Sequence, residues 1–360
     1  MNIAHKTRLQ PLGNGTLPRV LSSIYGSVVS LRNFLYDNIS ALSQEAGRPV
    51  ISVGGVHAGG TGKTPMSLLV ARQLVERGYS IAFLSRGYGR AHKEMVICKP
   101  GEPVSWNQVG DEPALLHEAL PQSWLGICPN RRKSARDLRN LVPGNTVFVL
   151  DDGFQHRQVK RTADIVCIPP DPFADSLIPA GRLREPLVNL KRANFICIIG
   201  SMKEKDACIR TREKLLLQFP GKGIYVLFQV PGEWRKLGTG ETSKILPFRS
   251  PLLLSGIARP DRFSMLIADM GIRPCASHFF DDHHVFTINE IEGLYGGQCD
   301  GIVTTEKDAF RLSTIKLVNG PDIWYLKIDV SFADGPSRES FFEHLNDSIQ
   351  SYIPKRRYCT

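Results

Sequence analysis

Apolar runs of four or five residues alternate with helical patterns along much of the chain. The runs are rich in β-branched and aromatic residues, which is typical of buried strands, and they occupy residues 50–53, 81–84, 125–128, 146–150, 165–168 and 195–199. Between them, apolar residues recur at helical spacing at residues 68–74, 113–120 and 131–141. This alternation predicts an α/β fold, with a mostly parallel sheet covered by helices.

A looser stretch that contains Gly and Pro separates this unit from a second one. It covers residues 223–250, has two segments that could be extended, and is interpreted as a linker. A strand at residues 252–254, a helix near residues 261–270 and a strand at residues 302–303 follow it. We therefore expect an N-terminal helical segment at residues 1–45, a larger α/β domain at residues 46–225, and a linker with a smaller C-terminal α/β domain at residues 226–360.

The N-terminal segment contains an apolar stripe. Its members are Val20, Ile24, Val28, Leu31 and Leu35, and they fall on one face of a helix. Such a stripe fits a helix that lies in a membrane interface, and it fits equally a helix that packs on the protein core. No run approaches the ~20 apolar residues that a membrane-spanning helix needs, and no secretory cleavage site follows the stripe. We therefore expect peripheral membrane binding at most, and no export.

A glycine-rich octet lies between the first strand and the helix that follows it. Glycines let backbone N–H groups curl around phosphate oxygens, and a helix N-terminus adds unpaired donors. We expect Lys63 to contact the β- and γ-phosphates and Thr64 to bind Mg²⁺. His57 replaces the usual first glycine, so the grip on phosphate begins at Gly59. The octet predicts a site for ATP or GTP, formed by His57, Ala58, Gly59, Gly60, Thr61, Gly62, Lys63 and Thr64.

Two adjacent carboxylates, Asp151 and Asp152, follow the strand at residues 146–150. Phosphate-loop sites commonly hold their metal with an acidic residue at the end of an apolar strand. Neighbouring carboxylates repel each other unless a cation or hydrogen-bond donors lie between them. We therefore expect Mg²⁺ at this pair, while a structural role in the next turn stays open.

The net charge of +10 and the pI near 9.2 indicate an anionic partner. Phosphate-bearing small molecules and anionic membranes both fit. Nucleic acid is not expected, because the basic residues are spread along the chain and no RNA-recognition, zinc-finger or basic-zipper motif occurs. The eight cysteines are far apart and none forms a Cys-x-x-Cys pair, so we expect reduced thiols and neither a zinc site nor a disulfide framework.

Several motifs together resemble the tetraacyldisaccharide 4'-kinase family of the lipid A pathway. They lie between residues 53 and 308, in the family's order. One departure is Gly55, where the family usually has Asn, so no polar side-chain contact is expected there. The matching text is Val53-Gly54, Gly59-Gly60-Thr61-Gly62-Lys63-Thr64-Pro65, Ser85-Arg86-Gly87-Tyr88-Gly89, Gly110-Asp111-Glu112-Pro113, Leu150-Asp151-Asp152-Gly153-Phe154-Gln155-His156, Pro179-Ala180-Gly181-Arg182-Leu183-Arg184-Glu185-Pro186, Asp282-His283-His284 and Thr304-Thr305-Glu306-Lys307-Asp308.

The resemblance implies a kinase that depends on ATP and Mg²⁺. Its acceptor is the 4'-hydroxyl of a tetraacylated glucosamine disaccharide 1-phosphate, and its product is lipid IVA, at the cytoplasmic face of the bacterial inner membrane. The implied fold has two P-loop-NTPase-like α/β/α domains with mostly parallel sheets, and an amphipathic N-terminal helix that touches the membrane. The implied partners are the acylated disaccharide phosphate and a membrane surface, with no obligatory protein partner.

The resemblance also assigns roles in catalysis. Asp111 and His283 correspond to the catalytic base, and Lys63 and Arg184 to groups that stabilise the transferred phosphate. An Asp at its ordinary pKa is ionised but weakly basic at neutral pH, and a neighbouring His can share the proton. From the residues alone, Asp111 could equally cap the helix that starts at Pro113, and His283 could be a core histidine.

The remaining implied site residues concern the metal and the acceptor. Gln155 and His156 are expected to line the same site. Arg86 could face an anionic phosphate of the substrate or pair with a surface carboxylate, and both alternatives stay open. The implied ligands of the metal or its waters are Thr64, Asp151, Asp152 and Glu185.

Two other classes of nucleotide-binding protein share part of this pattern. A partitioning-type ATPase, a dimeric switch that also visits membranes, has a Lys before the two glycines, where this chain has Ala58. A GTPase needs an Asn-Lys-x-Asp motif, and the nearest text, residues 304–308, lacks the Asn. The sequence therefore favours the kinase.

Overall fold

A computed structural model describes residues 11–13, 15–90, 93–295, 298–313, 315 and 320–352. The helices are α1 (Thr16–Asn38), α2 (Lys63–Glu76), α3 (Trp106–Val109), α4 (Asp111–Ala119), α5 (Arg131–Leu138), α6 (Lys205–Gln218), α7 (Pro260–Asp269), α8 (Ile288–Leu294), α9 (Glu306–Leu312) and α10 (Gly335–Tyr352). The strands are β1 (Val50–Gly55), β2 (Ser80–Ser85), β3 (Val96–Cys98), β4 (Trp124–Ile127), β5 (Thr146–Asp151), β6 (Ala163–Ile168), β7 (Phe195–Gly200), β8 (Gly223–Lys236), β9 (Thr242–Ser243), β10 (Leu252–Ser255), β11 (Ala276–Phe279), β12 (Ile302–Thr305) and β13 (Ile323–Phe332).

The strands form one sheet in the order β11-β10-β12-β13-β8-β7-β6-β1-β5-β2-β4-β3, with β9 paired to β8. Only three of these neighbouring pairs are antiparallel, namely β13 with β8, β8 with β9, and β3 with β4. The predicted α/β fold with a mostly parallel sheet is therefore confirmed.

Strand β1 lies near the middle of the sheet, and all six of its residues are buried. It pairs in parallel with β5 and with β6. The register places Val53 opposite Asp151, the last residue of β5. Because parallel strands end at the same edge of a sheet, the glycine-rich loop and the acidic pair meet there.

Helix α2 covers the sheet next to β1. Its residues Met66, Val70, Ala71 and Leu74 are fully or almost fully buried and belong to the largest apolar cluster of the protein. Full burial of side chains such as Met and Leu stabilises a fold by roughly 1.5–3 kcal/mol each. This packing fixes the first turn of α2, and with it the glycine-rich loop.

Strand β8 connects the two units that the sequence pattern separates. Its first part pairs in parallel with β7, and residues 227–236 pair antiparallel with β13. The stretch interpreted as a linker thus begins with a strand of 14 residues, and the predicted boundary after residue 225 falls inside it. Pro231 and Gly232 interrupt the apolar pattern where the register with β13 shifts, which explains why the strand is hard to recognise.

Helix α1 packs on the protein with a narrow, partly polar face. Ser22, Gly26, Val29 and Asn33 are buried along that face. The predicted apolar stripe points the other way, because Val20, Ile24, Val28 and Leu31 are between 51% and 61% exposed. Among the described residues, no helix is both long and apolar enough to span a membrane.

One disulfide corrects the expectation that all the cysteines are reduced. Cys275 and Cys299 are joined, with Cα atoms 5.8 Å apart. They precede β11 and β12, the two strands that flank β10, so parallel pairing brings their amino ends together although 24 positions separate them in sequence. The order of the strands, which cysteine spacing does not reveal, makes this contact. The free cysteines in the described part of the chain are Cys98, Cys128, Cys167, Cys197 and Cys208.

Candidate active site

The glycine-rich loop has the backbone of a phosphate cradle. Gly59, Gly60 and Gly62 have positive φ values of 72°, 50° and 74°, which glycine adopts readily. Helix α2 starts directly afterwards, at Lys63, and its N-cap residue, Gly62, has no side chain that could cap it. The hydroxyl of Thr61 is buried without a hydrogen-bond partner among the described residues. Unpaired donors around a positive-φ loop are suited to phosphate oxygens.

His57, at the start of the octet, serves the loop through its backbone. Its carbonyl accepts a hydrogen bond from Arg184 at 3.1 Å, and the next N–H, that of Ala58, donates to the carbonyl of Arg182 at 2.8 Å. Burial lowers the pKa of the His57 imidazole to about 4, so the ring is neutral at physiological pH. The octet is therefore tied at its first two residues to the segment that carries Arg184.

The acidic pair at the end of β5 divides into two environments. Asp152 has a positive φ of 46°, accepts two hydrogen bonds from Arg184 at 2.7 and 2.8 Å, and lies 3.7 Å from the ammonium of Lys63. Burial opposes its ionisation, but Arg184 and Lys63 hold its pKa well below the usual range. Burial raises the pKa of Asp151 to about 7, and the charges of Glu112 and Asp152 act in the same direction. A cation at Asp151 would favour its ionised form.

Asp111 and His283 are in direct contact. Nδ1 of His283 lies 2.9 Å from Oδ2 of Asp111, although the two residues are 172 positions apart in sequence. Asp111 is the first residue of α4, and its described hydrogen bonds go to other segments, so the helix-cap alternative does not describe it. His283 is partly exposed, has a positive φ of 68° and faces the ring of Tyr88, so it is not a core histidine.

Arg311 completes this cluster, and it lies outside the motifs that the sequence offers. Its Nε donates to Oδ2 of Asp111 at 3.0 Å, and a second guanidinium nitrogen contacts the same oxygen. The only signal in the sequence is its place one helical turn after Asp308, the last residue of a family motif.

Glu185 lies behind the site. Its carboxylate is buried and accepts hydrogen bonds from four side chains, those of Asn33, Gln155, Asn189 and Arg192, at 2.6 to 3.2 Å. Gln155 lines the site itself, so Glu185 influences the site through its hydrogen bond with the amide of Gln155. Helix α1 contacts the same region, because the hydroxyl of Tyr25 donates to the carbonyl of Arg184 at 2.8 Å.

His156, which was expected to line the site, is buried in a basic environment. Burial lowers the pKa of its imidazole to about 3, and the charges of Arg131, Arg161 and Arg32 act in the same direction. The ring is therefore neutral at physiological pH. Arg86 and Arg131, whose charges also act on this ring, line the cavity that Gln155 lines.

Two cavities meet at this site. The loop cavity has a volume of about 370 Å³ and is bounded by the loop, by apolar side chains and by cations of the C-terminal part, among them Leu115, Phe263, Leu266, Arg259, Arg262 and Lys307. The Asp111 cavity, of about 230 Å³, is lined by Asp111, His283, Asp151, Asp152, Arg184 and Arg131, among others. Glu112 lines both cavities, and its carboxylate lies 2.5 Å from the ammonium of Lys307.

The chain is similar in sequence to one family of known proteins. Residues 16–350 match the profile of the family described as tetraacyldisaccharide-1-P 4'-kinase. A tetraacyldisaccharide 4'-kinase from Anaeromyxobacter sp. (strain Fw109-5) is 32% identical over 92% of this chain and 90% of that protein. One from Chlorobaculum tepidum is 34% identical over 89% of this chain and 94% of that protein.

A solved structure has the same fold. It is an "apo" form of LpxK from Aquifex aeolicus in complex with ATP, with a TM-score of 0.74 and 28% sequence identity, and the match covers 92% of this chain and 98% of that one. The profile match extends over nearly the whole chain, and two of the relatives exceed 30% identity over most of their length. The chain therefore belongs to the tetraacyldisaccharide-1-P 4'-kinase family.

Proposed function

We propose that this protein transfers the γ-phosphoryl group of ATP to the 4'-hydroxyl of a tetraacylated glucosamine disaccharide 1-phosphate, giving lipid IVA. One observation carries the proposal. The Asp111–His283 pair lines a cavity that adjoins the loop cavity, with Glu112 in the wall of both cavities. A phosphate donor on one side and a hydroxyl acceptor on the other would meet beside a carboxylate.

The loop cavity is the proposed site of ATP. Backbone N–H groups of the loop, the Thr61 hydroxyl and Lys63 would bind the phosphates, as in other phosphate loops. Burial lowers the pKa of Lys63, while Asp152 opposes this effect and favours the charged ammonium. The related structure from Aquifex aeolicus contains ATP, which supports this assignment.

Mg²⁺ would be held by Thr64, Asp151 and Asp152. All three offer oxygen ligands, which Mg²⁺ prefers, and the two carboxylates repel each other without a cation. When bound, the ion would supply positive charge that offsets the negative charge developing on the transferred phosphoryl group. Glu185 would support the site indirectly, since it fixes the amide of Gln155 at 2.7 Å.

The chemical step exchanges one P–O bond for another. The acceptor oxygen attacks the γ-phosphorus, its O–H bond breaks, and the bond from the γ-phosphorus to the departing ADP oxygen breaks. Asp111 would take the proton with His283 beside it, because burial of the carboxylate is outweighed by His283 and Arg311, which lower its pKa to about 2 and keep it ionised. Lys63 and Arg184 would stabilise the charge on the transferred group.

The membrane contact is proposed for the outer face of α1. Its exposed apolar side chains form a continuous stripe, which suits a helix lying in a lipid interface. The acylated acceptor is itself a membrane lipid, so docking would bring the Asp111 cavity to the substrate. We propose the cytoplasmic face of the bacterial inner membrane as the location, since ATP is available there.

A transfer assay tests the proposal. Purified protein is incubated with γ-labelled ATP, Mg²⁺ and the disaccharide lipid in detergent, and labelled lipid is separated and counted. Wild type should label the lipid, Asp111→Asn should reduce kcat by about 10²- to 10⁴-fold, the usual worth of a general base, and Lys63→Met should abolish the transfer. Transfer at the wild-type rate by either variant would refute the assignment of the site. If the protein hydrolysed ATP when it self-associates and labelled no lipid, the proposed kinase activity would be wrong. The protein would then be assigned as a partitioning-type ATPase.

A further inference from the structure

We propose that Arg311 is a positioning residue that holds Asp111 and His283 together and presents one oxygen of Asp111 to the acceptor hydroxyl. Arg311 lies in α9, far from Asp111 in sequence, and it is almost fully buried. The inference rests on the proposed function, because the acceptor hydroxyl is the group that the oriented carboxylate would serve.

The contacts on Asp111 select one of its two oxygens. Nδ1 of His283, Nε of Arg311 and a second guanidinium nitrogen all contact Oδ2. Among the residues that the structure describes, no hydrogen bond to Oδ1 is found, and Asp111 lines the cavity. The guanidinium therefore fixes the rotation of the carboxylate and leaves Oδ1 available to the acceptor.

The same guanidinium also fixes His283. One of its nitrogens donates to the carbonyl of Gly256 at 2.9 Å, and the backbone N–H of His283 donates to that carbonyl at 3.0 Å. A second nitrogen lies 3.2 Å from Nδ1 of His283. His283 has a positive φ, which is costly for a residue with a side chain and persists only where neighbours enforce it. Arg311 is thus in contact with both members of the pair and with the carbonyl that anchors one of them.

Arg311 is itself held rigidly. It pairs with Asp308, one turn earlier in α9, at 2.9 Å. Asp308 in turn accepts hydrogen bonds from the Thr305 hydroxyl at 2.7 Å and from the N–H of Gly256 at 3.1 Å. The C-terminal part of the chain therefore places a preorganised cation against a carboxylate that belongs to α4.

The charge of Arg311 also keeps Asp111 ionised. Among the described residues, the charged and titratable groups that face this carboxylate are Arg311 and His283, and His283 is faced in addition by Asp282, 3.7 Å from its Nε2. The neighbouring Glu112 is paired with Lys307 and adds little net charge. Burial alone would raise the pKa of Asp111, so removal of the guanidinium should raise this pKa and reduce the ionised fraction of the carboxylate at acidic pH.

The test compares Arg311→Met and Arg311→Lys with wild type in the lipid transfer assay over pH 3 to 9. We expect Arg311→Met to lower kcat by about 10²-fold, as misplacement of a reacting group does, with KM for ATP nearly unchanged. We expect the acidic limb of its kcat profile to move up by about 1–3 pH units, the usual effect of removing an opposite charge. Arg311→Lys keeps the charge without the forked contact, so it should lose part of kcat and keep the acidic limb near that of wild type.

Arg72→Met is the matched control. It removes another Arg–Asp pair that joins distant segments, with Asp329 at 3.1 Å, away from the Asp111 cavity. This variant should leave both kcat and the pH profile as in wild type. If Arg311→Met kept the wild-type profile, or if Arg72→Met reproduced its shift, the positioning role would be wrong.

Two further outcomes are decisive. If Arg311→Met does not fold, as judged by circular dichroism, Arg311→Lys decides alone, and full kcat in that variant would contradict a role for the forked contact. If wild type labels no lipid, the proposed function fails, and that result is distinct from a failure of the Arg311 inference.

Discussion

The guanidinium of Arg184 binds both carboxylate oxygens of Asp152, at 2.7 and 2.8 Å. Asp152 has a positive φ, an unfavourable conformation for Asp that a strong partner can maintain. The pair joins the end of β5 to the segment that holds the first residues of the glycine-rich loop. A bidentate contact fixes orientation as well as charge, so the metal ligand proposed at Asp152 depends on Arg184.

Arg184→Lys should therefore impair transfer although it keeps the positive charge. A lysine offers a point charge and no planar fork, so Asp152 would lose its fixed orientation. We expect kcat/KM for the lipid to fall by about 10²-fold, as measured by label transfer. Arg182→Lys is the control, because Arg182 is more exposed and pairs with Asp175, and it should stay within about twofold of wild type. Equal losses in the two variants would contradict the argument.

Gly62→Ala should lose ATP binding. Gly62 has a φ of 74°, and a Cβ there would lie 3.0 Å from the side chain of Ile199. The substitution would strain the phosphate cradle, so the affinity for ATP, measured by isothermal titration calorimetry, should fall at least tenfold.

Gly78→Ala is the control for backbone strain at a glycine outside the phosphate cradle. Gly78 follows the other end of α2, has a φ of 84°, and has open space where a Cβ would lie. It should cost about 1 kcal/mol of stability and leave the affinity for ATP unchanged. Weakened binding in Gly78→Ala would show that general destabilisation, and not the cradle, explains the result.

Val28 and Val29 are neighbours on α1 with opposite surroundings. Val28 is 61% exposed on the outer face, and Val29 is 7% exposed on the inner face. Val28→Ser should weaken sedimentation with anionic phospholipid vesicles and leave the melting temperature unchanged. Val29→Ser should lower the melting temperature, by removal of about 1–3 kcal/mol of apolar burial, and keep vesicle binding. The reverse pattern would assign the membrane contact to another surface.

Glu306 should make the stability of the protein depend on pH. Burial raises its pKa from 4.5 to about 7, despite the opposing charge of Lys327. Because the folded pKa lies above the unfolded one, the stability that the protonated form contributes is present below pH 4.5 and is lost as the pH rises towards 7. Glu306→Gln should remove this loss. The melting temperature of the variant minus that of wild type should therefore be at least about 2 °C larger at pH 8 than at pH 5. If the variant and wild type differed in melting temperature by the same amount at both pH values, Glu306 would be ionised throughout this range.

The local features of the site could be predicted from sequence. Strand β1, the glycine-rich loop and the start of α2 are contiguous, so periodicity and loop composition suffice to identify them. The end of β5 at Asp151 follows from the same pattern, and the mostly parallel fold is confirmed. The family resemblance added the pairing of Asp111 with His283, which the structure brings together, and their catalytic roles stay predictions.

The remaining features depend on contacts between distant segments. Arg311 meets Asp111 across 200 positions, and no periodicity encodes that meeting. Strand β8 carries Pro231 and Gly232 in its middle, which hides its continuation into the C-terminal unit. The disulfide of Cys275 and Cys299 depends on the order of β11, β10 and β12 in the sheet. Each of these requires the topology, and spacing along the chain does not supply it.

The two faces of α1 have a consequence for when the protein works. Its inner face holds the carbonyl of Arg184 through Tyr25 and the carboxylate of Glu185 through Asn33. With the proposed docking of the outer face, the same helix touches lipid on one side and the catalytic segment on the other. Detachment from the bilayer would then loosen the segment of Arg184, which orients Asp152. The protein would therefore hydrolyse less ATP where its lipid acceptor is absent.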